Sequence, residues 1–280
     1  MHVGLLTARF GSQARLQDIA RWAAGAGFKA LEVTAGPQGH IKPGEVQADG
    51  GAAIAKILNE TGLSISALAY YAAPRKAEEE AAHHQALRDV IAAAKVLGVK
   101  VVCTLAGFPM PGGDKLRTKL ETIREWAPSF YGPLADQAAA SGIKIAFENW
   151  YATNLQHLDH FRALTEAVPQ TNVGFNFDPS HLLWQGIDYI AAVEEFKERI
   201  FHTHAKDTAI FEDRLRRIGC LERGWWDYVI PGCGRVAWGE YLRQLRLCGY
   251  DGVLSIEHED RAFGPEEGFE RGLRYLLQYI

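Results

Sequence analysis

The sequence predicts an α/β protein in which eight alternating strand and helix units close into a parallel barrel, and three observations carry that prediction. Five times a helix-like stretch ends in a glycine and enters an apolar run: AGFKALEV from 26, TGLSISAL from 61, LGVKVVCT from 97, SGIKIAFE from 141 and CGYDGVLSIE from 248. The joint glycines Gly27, Gly62, Gly98, Gly142 and Gly249 follow one another at the size of a strand-helix unit, with a last gap about three units long. Two further apolar runs, TNVGFNFD at 171–178 and RIFHTH at 199–204, fill that gap, and the opening HVGLLT completes a set of eight.

Each joint has a local reason. Glycine takes the left-handed conformation that ends a helix, and the β-branched run after it suits a strand buried on both faces. Between the strands lie LQDIARWAA, HHQALRDVIAAAKVL, LDHFRALTEAV and GEYLRQLRLC, whose apolar residues recur at three- and four-residue spacing. An open doubly wound sheet is the competing arrangement. No GxGxxG or GxxxxGK[ST] follows a strand, which argues against a dinucleotide or P-loop site. The stretch 205–237 is long for a strand-to-helix connection and is expected to overhang the carboxyl end of the seventh strand.

A length of 280 residues allows one or two domains, and the even rhythm predicts a single barrel domain over 1–280. With 48% hydrophobic and 23% charged residues the chain can bury a sizeable core in water. A net charge of −4 gives no reason to expect nucleic acid, so small neutral or weakly charged partners fit better. MHVGLLTARF lacks the basic head and long apolar stretch of a signal peptide, and no run is long enough to predict a membrane span. Cys103, Cys220, Cys233 and Cys248 show no CxxC spacing, so free thiols in a reducing cytoplasm are expected.

Active sites of such barrels sit at the carboxyl ends of the strands. Reading the last residue of each late strand gives Glu148 from IAFE, Asp178 from FNFD, His204 from FHTH and Glu257 from LSIE. Strand alternation turns Phe147, Phe177 and Ile256 toward the helices and their acidic neighbours toward the barrel axis. Carboxylates gathered in one mouth repel, and a divalent cation removes the penalty. Any one of them alone could be a strand-end residue in its own hydrogen bond; four in phase predict a metal site. Three oxygen donors and an imidazole favour Mn²⁺, placed first, with Co²⁺, Fe²⁺, Mg²⁺ or Zn²⁺ as alternatives, over Ca²⁺. In FHTHAKD both histidines face one way, but His204 ends the strand while His202 lies a layer deeper, so His204 is the expected ligand and His202 an interior support.

At FENW (147–150), FDPSH (177–181), HAKD (204–207), IPGCGRVAW (230–238) and SIEHED (255–260) the chain resembles the xylose isomerase-like TIM-barrel family, which groups sugar isomerases, ketose 3-epimerases, inosose-processing enzymes and endonuclease IV. The resemblance implies one divalent metal on Glu148, Asp178, His204 and Glu257, with both glutamates exchanging protons with a keto sugar or cyclitol, and His181 touching the substrate. It also implies an oligomer, either a homodimer or a homotetramer. Endonuclease IV adds ligands that this chain lacks: LEVT and LAYYAAP stand after strands two and three, and Trp226-Asp227-Tyr228 precedes the glycine turn. Where the epimerases carry an arginine, this chain has Lys206 and Asp207.

Such a site polarises a carbonyl and stabilises an enediolate. Glu148 and Glu257 as acid and base would give epimerisation or isomerisation, and loss of a β-substituent from the same intermediate would make the protein a lyase or hydratase of a 3-keto sugar or glycoside. A noncatalytic sugar-binding barrel or supporting subunit is the reading from another class. Lys206 is expected to orient an oxyanion or to be a solvated lysine, and Glu32 to contact substrate or to pair with a neighbour. Trp150 and Trp184, with Trp225 and Trp226, offer aromatic faces near the mouth. Trp238 is expected to pack at a helix start, and His83-His84 to lie on a solvated helix face.

Overall fold

The computed structural model describes residues 1–280. Eight strands form a closed parallel barrel: β1 (His2–Leu6), β2 (Ala30–Thr34), β3 (Ser64–Tyr70), β4 (Val101–Leu105), β5 (Lys144–Glu148), β6 (Val173–Phe177), β7 (Ile200–Ala205) and β8 (Val253–Ile256). Each pairs with its sequence neighbours, and β1 closes on β8 through His2↔Val253 and Gly4↔Ser255. The five joint glycines all adopt positive φ, between 65° and 101°, as the helix ends require. No helix is long and apolar enough to cross a membrane.

The hydrophobic core lies mainly between strands and helices, where the outward phenylalanines of β5 and β6 meet aromatic partners on the helices. Phe147 packs edge-on to Tyr131 with ring centroids 4.7 Å apart, Phe175 stacks on Phe161 at 4.7 Å, and Phe177 on Tyr241 at 6.1 Å. Inside the barrel the apolar residues are few and mostly small, a cluster of Leu6, Ala67, Ala69, Val101, Cys103 and Ala146. Small side chains leave room for polar ones. Glu32, Asn176, His202, His204 and Ser255 are all buried there.

Two irregularities set which polar residues meet. The β6–β7 register shifts between Phe175 and Asn176, so Asn176 stands opposite His202. The β2–β3 register shifts between Leu31 and Glu32. His202 is the interior residue that the sequence predicted, meeting Asn176 Oδ1 at 2.9 Å and Ser66 Oγ at 3.1 Å.

The overhang after β7 is ordered rather than loose. Asp207–Ile210 pairs antiparallel with Trp226–Val229, and a short helix, Glu212–Ile218, caps the hairpin. Asp207 is the pin. Its Oδ1 accepts from the amides of Thr208 (2.8 Å) and Val236 (2.9 Å), and its Oδ2 from Gly232 N (3.0 Å) and Trp238 Nε1 (2.9 Å). A side chain at Gly234 would collide with the Asp207 carboxylate, which explains the glycine in PGCG. Trp238 packs at its helix start as expected. His83 and His84 depart from the expected solvated face: His83 Nδ1 bonds Tyr70 OH at 2.9 Å, and His84 packs edge-on to Phe130, because this face of the helix Ala77–Leu97 leans on β3 and the next helix.

Asp207→Ala strands three buried donors and the more exposed Gly232 N–H, and should cost about 3 kcal/mol in urea unfolding, with amide exchange accelerated across 229–238. Burial moves His202 from its ordinary 6.5 down to about 4, despite the attraction of Glu32. The unfolded chain therefore binds a proton that the folded chain refuses, and this contribution, on the order of 3 kcal/mol, is present above pH 6.5 and lost as pH falls toward 4. The stability of His202→Gln should fall less steeply than that of the parent between pH 6.5 and pH 4; parallel curves would refute the assignment.

Candidate metal centre

Glu148 is the last residue of β5, Asp178 and Glu257 stand one past β6 and β8, and His204 is next to last in β7. Asp178 also caps the short helix Pro179–Leu183, accepting from Ser180 N with Oδ1 at 2.8 Å, which leaves Oδ2 aimed at the axis. The Asn149 amide brackets the same turn, donating to Asp178 O and accepting from Asp178 N at 2.7 Å.

His204 Nδ1 lies 3.5 Å from Glu148 Oε1, 3.9 Å from Asp178 Oδ2 and 3.2 Å from Glu257 Oε2. Both His204 Nδ1 and Asp178 Oδ2 are buried without a hydrogen-bond partner. Carboxylate oxygens crowded around an imidazole nitrogen that has no hydrogen-bond partner are expensive unless a cation completes them. The spacing matches ligand atoms around an ion at about 2.1 Å, so the donor set fits a divalent metal. His181 is a second imidazole beside the same carboxylates, its Nε2 3.3 Å from Glu148 Oε1 and 3.5 Å from Asp178 Oδ2, so that Glu148, Asp178, His181 and Glu257 also form a close donor group. Its other nitrogen is taken by Tyr228 OH at 2.5 Å, so an Nε2–H donor to Glu148 with Nδ1 accepting from the phenol satisfies the ring.

Lys206 is buried, not solvated. Alternation from His202 through His204 brings it to the same inward face, and its ammonium meets Glu257 Oε2 at 2.5 Å, Glu259 Oε2 at 3.2 Å and Asp178 Oδ2 at 3.3 Å. The Tyr228 ring covers it, 4.5 Å from Nζ. The acidic partners hold Lys206 protonated against a burial that alone would favour the neutral amine. Burial likewise opposes ionisation of Glu148 and Glu257. Hydrogen bonds from His181 and His204 nevertheless hold Glu148 well below the usual carboxylate range, and the charge of Lys206 brings Glu257 to about 2. His204 is pushed well above the ordinary imidazole value because the charges of Glu32 and Glu257 outweigh its burial.

These groups open into a cavity of about 590 Å³, walled by Trp150 and Tyr151 on one side and by Tyr71, Tyr228 and Glu259 on others, with Arg9 and Arg261 at its lip. Two expected contacts lie elsewhere. Trp184 stands behind this wall, stacked on Trp226 at 4.5 Å and edge-on to Tyr151, because the hairpin folds over it. Glu32 is wholly buried against the His204 ring, its Oε2 3.1 Å from Nε2, and does not line the cavity. Tyr71, Tyr228 and Glu259 were not expected. Glu259 shares the alternation of Glu257 in SIEHED, which is a signal for it; Tyr228 reaches the mouth only through the hairpin.

Residues 20–279 match the Xylose isomerase-like TIM barrel family. An uncharacterised protein, YfiH of Bacillus subtilis, is 30% identical across 94% of this chain and 95% of its own length. An inosose dehydratase of Geobacillus thermodenitrificans is 25% identical across 80% of this chain and 79% of its own. The crystal structure of the IolI protein with a bound zinc atom superposes with a TM-score of 0.76 at 20% identity, covering 100% and 99% of the two chains, which establishes a shared fold. With a match over almost the entire barrel and the inward carboxylates standing at the strand ends, the chain belongs to the Xylose isomerase-like TIM barrel family.

Proposed function

We propose that this protein is a divalent-metal-dependent enzyme that epimerises or isomerises a keto sugar, cyclitol or related polyhydroxy ketone. One observation carries the reading: Glu148, Asp178 and Glu257 set carboxylate oxygens within 3.9 Å of the unpartnered His204 Nδ1, and Glu148 and Glu257 also line the open cavity. A bound ion, for which Mn²⁺ is our first choice, supplies a Lewis acid that draws negative charge onto adjacent substrate oxygens.

The side chains supply the rest. Glu148 and Glu257 come from β5 and β8, so they reach the substrate carbon from different sides, and one removes the proton beside the carbonyl while the other returns a proton. The bonded ring of His181, placed by Tyr228, offers its edge to a substrate hydroxyl. The Lys206 ammonium stands beside Glu257, where it stabilises an oxygen that gains charge during enediolate formation. Trp150 and Tyr151 form an apolar wall suited to the C–H face of a sugar ring.

A lyase or hydratase is the second reading, because the same proton removal followed by loss of a β-hydroxyl gives an enone, and the similarity to an inosose dehydratase favours it. The two readings separate by product.

Protein prepared without chelator should hold about one divalent ion per chain, lose turnover on chelation and regain it on metal addition. Incubated with ketoses and inososes in deuterium oxide, it should incorporate deuterium beside the carbonyl; enone absorbance without returned deuterium would move the assignment to the lyase. Absence of both would exclude the chemistry. Glu148→Gln and Glu257→Gln should each lower kcat by about 10²- to 10⁴-fold while leaving the fold intact by circular dichroism.

A further inference from the structure

The far side of the His204 ring carries its own arrangement. Glu32, wholly buried on β2, stands across the barrel from the mouth residues and sends both carboxylate oxygens to donors. Its Oε2 accepts from Ser255 Oγ at 2.6 Å and lies 3.1 Å from His204 Nε2; its Oε1 accepts a short hydrogen bond from Tyr71 OH and lies 3.3 Å from the same imidazole nitrogen. Tyr71 is fixed in turn by Asn176 Nδ2, which donates to its oxygen at 2.8 Å, and that oxygen sits 3.0 Å from His204 Nε2. Asn176 is held by His202, and His202 by Ser66. Every member of this chain is a donor or acceptor with a partner, whereas Nδ1 on the opposite edge of the His204 ring has none.

A buried carboxylate facing Nε2 can be satisfied by the imidazole only if that nitrogen carries hydrogen, which reserves Nδ1 for the mouth. We infer that Glu32, with Tyr71 as its clamp, is the positioning residue that fixes the His204 ring and its tautomer so that Nδ1 is presented to the metal. The inference rests on the reading of His204 as a ligand. Glu32 itself touches neither substrate nor metal; it acts through His204. Tyr71 lines the substrate cavity and so forms the partition between that space and Glu32. Partners of this kind set both the orientation and the basicity of a ligating histidine, and their loss lowers metal affinity by about 10- to 100-fold.

The test uses the full chain and Zn²⁺ or Mn²⁺ alone, with no substrate. Titration calorimetry of Glu32→Gln, which keeps the shape of the side chain and removes its charge, should give a 10- to 100-fold weaker affinity, and Tyr71→Phe a smaller loss of the same sign. Nitrogen-15 spectra of histidine-labelled, Zn²⁺-loaded protein should show a protonated Nε2 on His204 with a downfield, slowly exchanging hydrogen. In Glu32→Gln that resonance should move upfield and exchange faster, a change that a merely structural role would not produce. His204→Gln serves as the reference. If it abolishes metal binding while Glu32→Gln stays within twofold of the parent with an unmoved Nε2 resonance, the positioning role is wrong and the ligand assignment stands. If His204→Gln retains metal at the parent's affinity, the ligand assignment fails and the positioning role with it.

Discussion

Four carboxylates crowd the inner end of the barrel around one buried ammonium and one buried imidazole, and the need to neutralise them constrains everything built around them. Glu148, Asp178 and Glu257 meet His204 and Lys206 above, while Glu32 meets His204 below. An isolated charge in this position would cost several kcal/mol, and a pair stripped of one partner would cost nearly as much. The charges therefore have to arrive together, which the barrel achieves by closing strands distant in sequence onto one axis. The interior accepts them because its remaining residues are mostly small, with Ala67, Ala69 and Ala146 where other barrels stack branched side chains.

The same constraint explains why the overhang after β7 is so firmly built. HAKD places three consecutive demands: His204 toward the axis, Lys206 two residues on toward the acids, and Asp207 away from them into the turn. Asp207 does not add to the charge at the mouth, since four N–H donors surround it. By holding the PGCG turn against the first strand of the hairpin it brings Tyr228 over Lys206 and onto His181. A low-dielectric cover over an ammonium strengthens its pull on Glu257 and Glu259, so the loop is an electrostatic part of the site as well as a wall.

The strands, the closing glycines and the mouth carboxylates were legible in the sequence because period and position are local properties. Glu148 and Glu257 follow apolar runs, and alternation alone tells which way they face. The depth difference between His202 and His204 followed from the same rule. Lys206 could have been placed by extending that alternation one more step, since residues 202, 204 and 206 share a face. Glu32 was harder: alternation turns it inward, but its partners His204 and Ser255 lie on strands that meet β2's interior only once the barrel closes. Tyr228 and Trp184 were harder still: both are located by the hairpin, a tertiary feature whose turn residues resemble those of any surface loop.

Under the proposed chemistry, the choice between epimerisation and elimination would turn on where protons can be delivered. Epimerisation needs acid and base on two faces of one carbon; elimination needs a donor near the neighbouring hydroxyl as well. Lys206 and His181 lie 3.3 Å apart on the same side of the mouth, beneath Tyr228. A polyhydroxy ketone bound with its carbonyl between Glu148 and Glu257 would thus find its protonating groups gathered at one flank, beside the Tyr151 ring. The direction in which a given substrate lies across that asymmetric floor, rather than a change in the ligand set, is what would send one common enediolate to either product.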